Sequence, residues 1–276
     1  MTQGGRIRVG VGGWVFEPWR GVFYPDGLKQ ADELAYMSRR VTAIEINATY
    51  YGMQKPETWR KWAGQSPDGF KFCVKGSRFC TNRRELAGAG EAIKRFFEQG
   101  LTELGPKLGP VLWQFAPTKR FDAPDFAGFL ELLPAEADGV ALQHVVEVRH
   151  DSFRTPAFVE LIRRFGTPVV FADHAAYPGI WDLAGDLVYL RLQTGSDELE
   201  TAYSAQALDS WAARLAVWAA GGSPPDLPLL EPDQPAPERP REVFAFIIHE
   251  GKVRAPAAAR AIISRLGPEH AAPSGA

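Results

Sequence analysis

Three pairs of polar residues two positions apart interrupt otherwise apolar runs: Glu45 with Asn47, Glu147 with Arg149, and Arg191 with Gln193. Residues i and i+2 of a strand share a face, so each pair presents both groups to one side. Lys75, Gln114 and Asp173 stand near the carboxyl ends of three further runs, and His174 follows the last of them. An unpartnered buried charge is prohibitively unfavourable. One explanation therefore has to serve all six runs: the groups meet, and there they pair, face solvent or hold a ligand. Glu147 is the first candidate for a general acid or base, because burial and neighbouring charge tune a carboxylate. Glu45 is its partner carboxylate, and Asp173 is an orienting group or a metal ligand. Lys75, Arg149 and Arg191 suit an anionic ligand, lysine as a point charge and arginine as a fork for phosphate or carboxylate oxygens. The competing reading is a packed polar layer in which Glu45, Glu147 and Asp173 neutralise Lys75, Arg149 and Arg191.

Other chemistry has less support. His150, His174 and His249 follow the fifth, sixth and eighth runs and, with the acids, could form a divalent-metal site. No HExxH or similar local signature backs that reading, so no cofactor is assigned. Neither a GxSxG elbow nor a Cys–His pair is argued by the sequence, which disfavours covalent acyl chemistry. The first loops are rich in aromatics, with Trp14, Phe16, Trp19, Phe23 and Tyr24 followed by Tyr50 and Tyr51. Such rings stack on bases or sugars, or simply fold a long loop onto a barrel mouth; Trp14 and Tyr50 stand closest to the strand ends.

The elements that must position these groups are legible in eight runs: 7–12, 41–47, 70–75, 110–115, 143–149, 167–173, 186–192 and 242–248. Most are apolar on both parities, which suits strands covered on both sides. Helical patterns separate them at 30–40, 56–65, 85–104, 124–133, 156–166 and 204–220, with a last helix at 255–267; the crossover 174–185 is too short and Pro/Gly-marked for much helix. This alternation predicts an α/β fold, a single (β/α)8 TIM-like barrel spanning 1–267. GVGGW at 10–14 lacks the GxGxxG spacing of an open dinucleotide-binding sheet. Prolines crowd 221–242, which reads as a surface insertion before the last strand, and 268–276 reads as a flexible tail.

The 276 residues are 45% hydrophobic and 23% charged, with a formal charge of -2, which argues against a globally basic nucleic-acid binder. Cys73 and Cys80 make no disulfide framework. No run approaches the roughly 20 apolar residues of a membrane span, and the opening residues lack a signal-peptide pattern. A cytoplasmic protein without a membrane partner is the default expectation.

The blocks VGVGGWVFEPWRGVFYPDGL (9–28), AIEINATYYGMQKPETWRKWAGQSPDGFKFCVKGSRFCTN (43–82), KLGPVLWQF (107–115), VEVRHDSF (146–153), FAD (171–173) and YLRLQTG (189–195) resemble the DUF72, or YecE-like, family. The resemblance implies a TIM-like barrel of unestablished function. Its motifs fall on Trp14, Glu45, Asn47, Tyr51, Lys75, Glu147, Arg149, His150, Asp173 and Arg191, which adds Tyr51 and His150 to the ligand-binding set. Many members resemble one another in a histidine where this chain has Gln193, and in a polar ending of the last strand where it has Ile247 and Ile248. Those departures weaken any carry-over of a metal-hydrolase mechanism.

The leading expectation is an enzyme that takes a phosphorylated or otherwise anionic substrate, a sugar phosphate or a nucleotide, at the carboxyl mouth of the barrel. The alternatives are a non-catalytic binder of nucleic acid or nucleotide, and a barrel scaffold with a degenerate site.

Overall fold

Both faces of the strands are buried, and the two faces belong to different cores. The computed structural model describes residues 4–272. Its eight parallel strands are β1 (Ile7–Gly12), β2 (Ala43–Ile46), β3 (Lys71–Lys75), β4 (Leu108–Gln114), β5 (His144–Glu147), β6 (Val170–Asp173), β7 (Leu187–Thr194) and β8 (Glu242–Glu250). They lie in the order β5-β4-β3-β2-β1-β8-β7-β6. The two ends meet where the Val146 amide donates to the Pro168 carbonyl at 3.0 Å, beside a single bridge from Val146 to Val169. This is the (β/α)8 barrel that the alternating pattern predicts.

The outer faces of the strands pack against α1 (Glu33–Met37), α2 (Pro56–Gln65), α3 (Arg78–Thr81), α4 (Gly90–Phe97), α5 (Ala123–Glu131), α6 (Pro156–Phe165), α7 (Ala205–Ala220) and α8 (Ala255–Ile263). α6 shows why its residues stop and start where they do. The Thr155 hydroxyl accepts from the Phe158 amide, Pro156 occupies the first turn, and Gly166 closes the helix at φ 61°. Two expected helices are shorter than their periodicity suggested. The 30–40 segment divides into a 3₁₀ turn, Gln30–Asp32, and α1, while 85–104 yields α4 and a 3₁₀ stretch, Leu101–Lys107. Gly100, at φ 82°, breaks the second of these. A small hairpin, Glu136–Ala137 with Val140–Ala141, precedes β5.

Inside the barrel three levels follow from strand parity. At the amino end Arg8 pairs with Glu242 at 2.7 Å. The middle is an apolar plug that includes Cys73, Leu112, Val145, Tyr189, Phe244 and Phe246. Above it, at the carboxyl ends, the interior turns polar. Such filled layers are what make an eight-stranded barrel a core rather than a pore.

The Pro-rich segment 221–242 runs without helix or strand until β8 begins, and it is tied down rather than loose. Buried Asp182 accepts from the amides of Leu230 (2.8 Å) and Glu231 (2.9 Å) and faces Arg163 at 3.7 Å. Of the segment read as a flexible tail, 273–276 lie outside the described residues; Pro268–His270 form a 3₁₀ turn, and the Ile7 amide donates to His270 Nδ1 at 3.0 Å. No described helix is long and apolar enough to cross a membrane. Asp182→Ala should leave two half-buried amides without their acceptor, cost about 1–3 kcal/mol, and speed proteolytic cleavage within 221–240. Equilibrium unfolding and limited proteolysis check this; unchanged stability and cleavage would contradict it.

Candidate functional site

Arg191 occupies the centre of the polar level. β7 turns Tyr189, Arg191 and Gln193 inward, while Val188, Leu190 and Leu192 face the helices. Arg191 Nη1 donates to Glu147 Oε2 at 2.6 Å and Nη2 to Glu45 Oε1 at 3.0 Å. One guanidinium thus joins β2 and β5 across the barrel. Each carboxylate is further held. Glu147 accepts from Arg149 Nε (2.8 Å) on Oε1 and from Gln114 Nε2 (2.7 Å) on Oε2. Glu45 accepts from the Tyr189 hydroxyl at 2.8 Å and from Asn47 Nδ2 at 3.0 Å.

This wiring sets the charges. Burial pushes the Glu147 carboxyl up, but Arg191, Arg149 and the Gln114 bond outweigh it and hold it at about 2. Burial lowers Arg191, yet Glu147 and Glu45 more than offset that, so its guanidinium stays charged. Lys75, only 8% exposed, behaves differently. Burial first, and then Arg191, lower its ammonium to about 8, against the weaker pull of Glu45 and Glu147. Its Nζ stands 4.4 Å from the Tyr50 ring centroid and has no hydrogen bond or ion pair among the described residues.

A cavity of about 500 Å³ opens above the cluster, lined by Lys75, Arg149, Arg191 and Lys252 together with Trp19 and Ile248. Four cations line it, against the two carboxylates of Glu45 and Glu147 at its base. The Arg149 guanidinium lies over the Tyr177 ring at 4.4 Å, which fixes its plane. Arg191 Nε and Gln193 Oε1 are buried without a hydrogen-bond partner among the described residues.

The expected convergence therefore includes Glu45, Asn47, Tyr51, Lys75, Gln114, Glu147, Arg149, Arg191 and Gln193, and excludes others. Asp173 ends β6 in register with Leu192, on the helix-facing parity, and accepts from the Thr194 hydroxyl. Burial raises its carboxyl. His150 turns away to accept from the Ser152 amide at 3.0 Å, capping the 3₁₀ turn Asp151–Phe153. Trp14 leaves the strand after Gly13 and packs edge-on against Trp62 at 4.9 Å; Trp19 takes the wall position instead. The side chain of His249 lies outside the described residues. Among the described residues no group of three or more His, Cys, Asp or Glu is placed to hold a metal ion. Tyr189 and Tyr177 were not anticipated. Tyr189 could have been found by extending the i, i+2 face one step back from Arg191, whereas nothing local marks Tyr177.

A family model described as a protein of unknown function, DUF72, matches residues 8–276. The chain belongs to the DUF72 family. It is 28% identical over 148 residues to the UPF0759 protein YecE of Escherichia coli K12, covering 53% of this chain and 50% of that protein. The UPF0759 protein YunF of Bacillus subtilis is 26% identical over 116 residues, 40% of each. The chain thus matches about half the length of these curated relatives, or less. Among solved structures, a DUF72 family protein from Thermotoga maritima superposes with a TM-score of 0.67 at 22% identity, over 93% of this chain and 96% of that one. Another from Enterococcus faecalis gives 0.68 at 16% identity, over 94% and 95%. These likenesses establish the fold of this DUF72 protein.

The Glu147 pairing makes a signed prediction. Its carboxyl is held at about 2 when folded, against an ordinary 4.5, so the stabilisation is complete above that ordinary value and is lost as pH falls toward about 2. Glu147→Gln should cost about 3–5 kcal/mol at neutral pH by stranding buried arginine charge. The difference from wild type should narrow through the acidic window. Urea unfolding across pH checks it, and a gap independent of pH would contradict it.

Proposed function

We propose that this DUF72 protein is an enzyme that binds a small phosphorylated or otherwise anionic substrate at the carboxyl mouth of its barrel. The observation that carries the reading is Lys75, a buried amine that lines the cavity with no acceptor among the described residues, beside an Arg149 whose Nη1 also lacks one. A phosphate or carboxylate would supply what both lack. Barrel enzymes place their chemistry at this end.

The roles follow from the electrostatics. Glu147, held at about 2, is a poor proton acceptor at neutral pH and acts as the fixed counter-charge of two arginines. Glu45 does the same for Arg191 from the opposite strand. Lys75, at about 8, is the group whose proton is exchangeable near physiological pH, which suits acid–base duty. A second reading, nucleic-acid binding, is favoured by one feature outside the cavity: Arg83, Arg84, Lys119 and Arg120 line an open cleft. Beside it, Arg78 lies 5.4 Å from the ring of exposed Phe79. Cations with exposed rings suit a single strand.

A thermal-shift screen separates these readings. Inorganic phosphate, a sugar phosphate and a nucleotide should raise the melting temperature, by about 2.7 kcal/mol of added stability at a hundredfold excess over Kd, whereas the uncharged sugar should not. Arg149→Ala should weaken the effect about tenfold or more. No shift with any anion would sink the enzyme reading. A salt-sensitive shift with an oligonucleotide, lost in the Arg83→Ala/Arg84→Ala double variant but kept in Arg149→Ala, would favour the second.

A further inference from the structure

Lys75 differs from the two arginines of the mouth in what it is bonded to, and from Lys252, which lies over the Phe16 ring, in standing beside the Glu45–Arg191–Glu147 cluster. Arg149 and Arg191 direct donors at Glu147 and Glu45, whereas the Lys75 amine reaches the cavity over the Tyr50 ring with no hydrogen bond or ion pair among the described residues. The Tyr50 ring and the nearby carboxylates favour the ammonium, while burial beside Arg191 favours the free amine and outweighs them. An amine desolvated beside other cations is also the arrangement that activates a lysine as a nucleophile toward carbonyl carbon.

Resting on the anion-site reading above, we propose that Lys75 forms a covalent imine with a small aldehyde or ketone that carries a phosphate or carboxylate group. The neutral Nζ adds to the carbonyl carbon to give a carbinolamine. The carbon–oxygen bond then breaks, the oxygen leaves as water with the two amine hydrogens, and the carbon–nitrogen double bond remains. Nothing is oxidised or reduced. The anionic group of the substrate lies toward Arg149, and its short carbon chain toward Ile248 and Trp19. Once protonated, the imine is a cation facing the charges of Glu45 and Glu147, which already act on Lys75. With its ammonium at about 8, roughly a tenth of Lys75 is neutral at pH 7, against well under a thousandth of an ordinary lysine.

Reductive trapping tests the proposal. The full chain is incubated with dihydroxyacetone phosphate, reduced with borohydride and mapped by peptide mass spectrometry, with glycerol 3-phosphate as the carbonyl-free competitor. The expected result is one dominant adduct on Lys75, about tenfold or more above any other lysine, suppressed by glycerol 3-phosphate. It should be absent from Lys75→Arg, which keeps the charge but not the nucleophile. The competition in wild-type protein decides the matter even if that variant folds poorly. Label spread evenly over surface lysines, with glycerol 3-phosphate still raising the melting temperature, would overturn the imine while leaving the anion site standing. Neither label at Lys75 nor a melting shift would overturn both.

Discussion

A guanidinium buried inside a barrel must be neutralised where it stands, and Arg191 meets that demand with Glu45 and Glu147 from strands on either side. The strength of such a cluster lies in its completeness. Replacing a buried ion set with well-packed apolar residues is often neutral or stabilising, whereas removing one member is costly. Stability is therefore a weak reason for this sequence to place two acids and an arginine above an apolar plug. What the cluster provides is geometry. It links β2, β5 and β7 where the sheet closes through a single bridge, and it fixes the carboxylates so that they cannot turn to neutralise everything else in the mouth.

That last consequence shapes the site. Glu147 already serves two arginines and a glutamine, and Glu45 serves an arginine, a tyrosine and an asparagine. Their acceptor capacity is largely committed, so Lys75 is left without a carboxylate, and the cavity above carries a positive surplus. Arg149 is held from both sides, by Glu147 on its edge and Tyr177 on its face. A rigid cation and an amine without a carboxylate partner thus border a cavity of about 500 Å³.

Much of this was legible in the sequence, and the rest fails for definable reasons. Pairs at i and i+2 reveal that two groups share a face, so Glu147 with Arg149 and Arg191 with Gln193 reach the interior together. Asp173 has no such companion. Its neighbours of the same parity, Phe171 and Val169, are apolar, and on a strand covered on both sides apolarity does not say which face is inward. Trp14 was displaced by backbone geometry, because Gly13 at φ 74° turns the chain off the strand before the indole is reached. His150 was taken by a local cap, its ring nitrogen accepting from the Ser152 amide at the start of the turn that follows β5. The hairpin before β5 carried a signal in Asp138 and Gly139, both at positive φ, as a tight two-residue turn requires.

The central claim is that committed carboxylates leave an uncancelled cationic surface at Lys75 and Arg149. A crystal structure of the protein soaked with a sugar phosphate tests it most directly. The phosphate should lie within hydrogen-bonding distance of both side chains, with the Arg191 bridge between Glu45 and Glu147 intact. An empty mouth at saturating ligand, or Glu147 swung away from Arg191 to pair with Lys75, would contradict it.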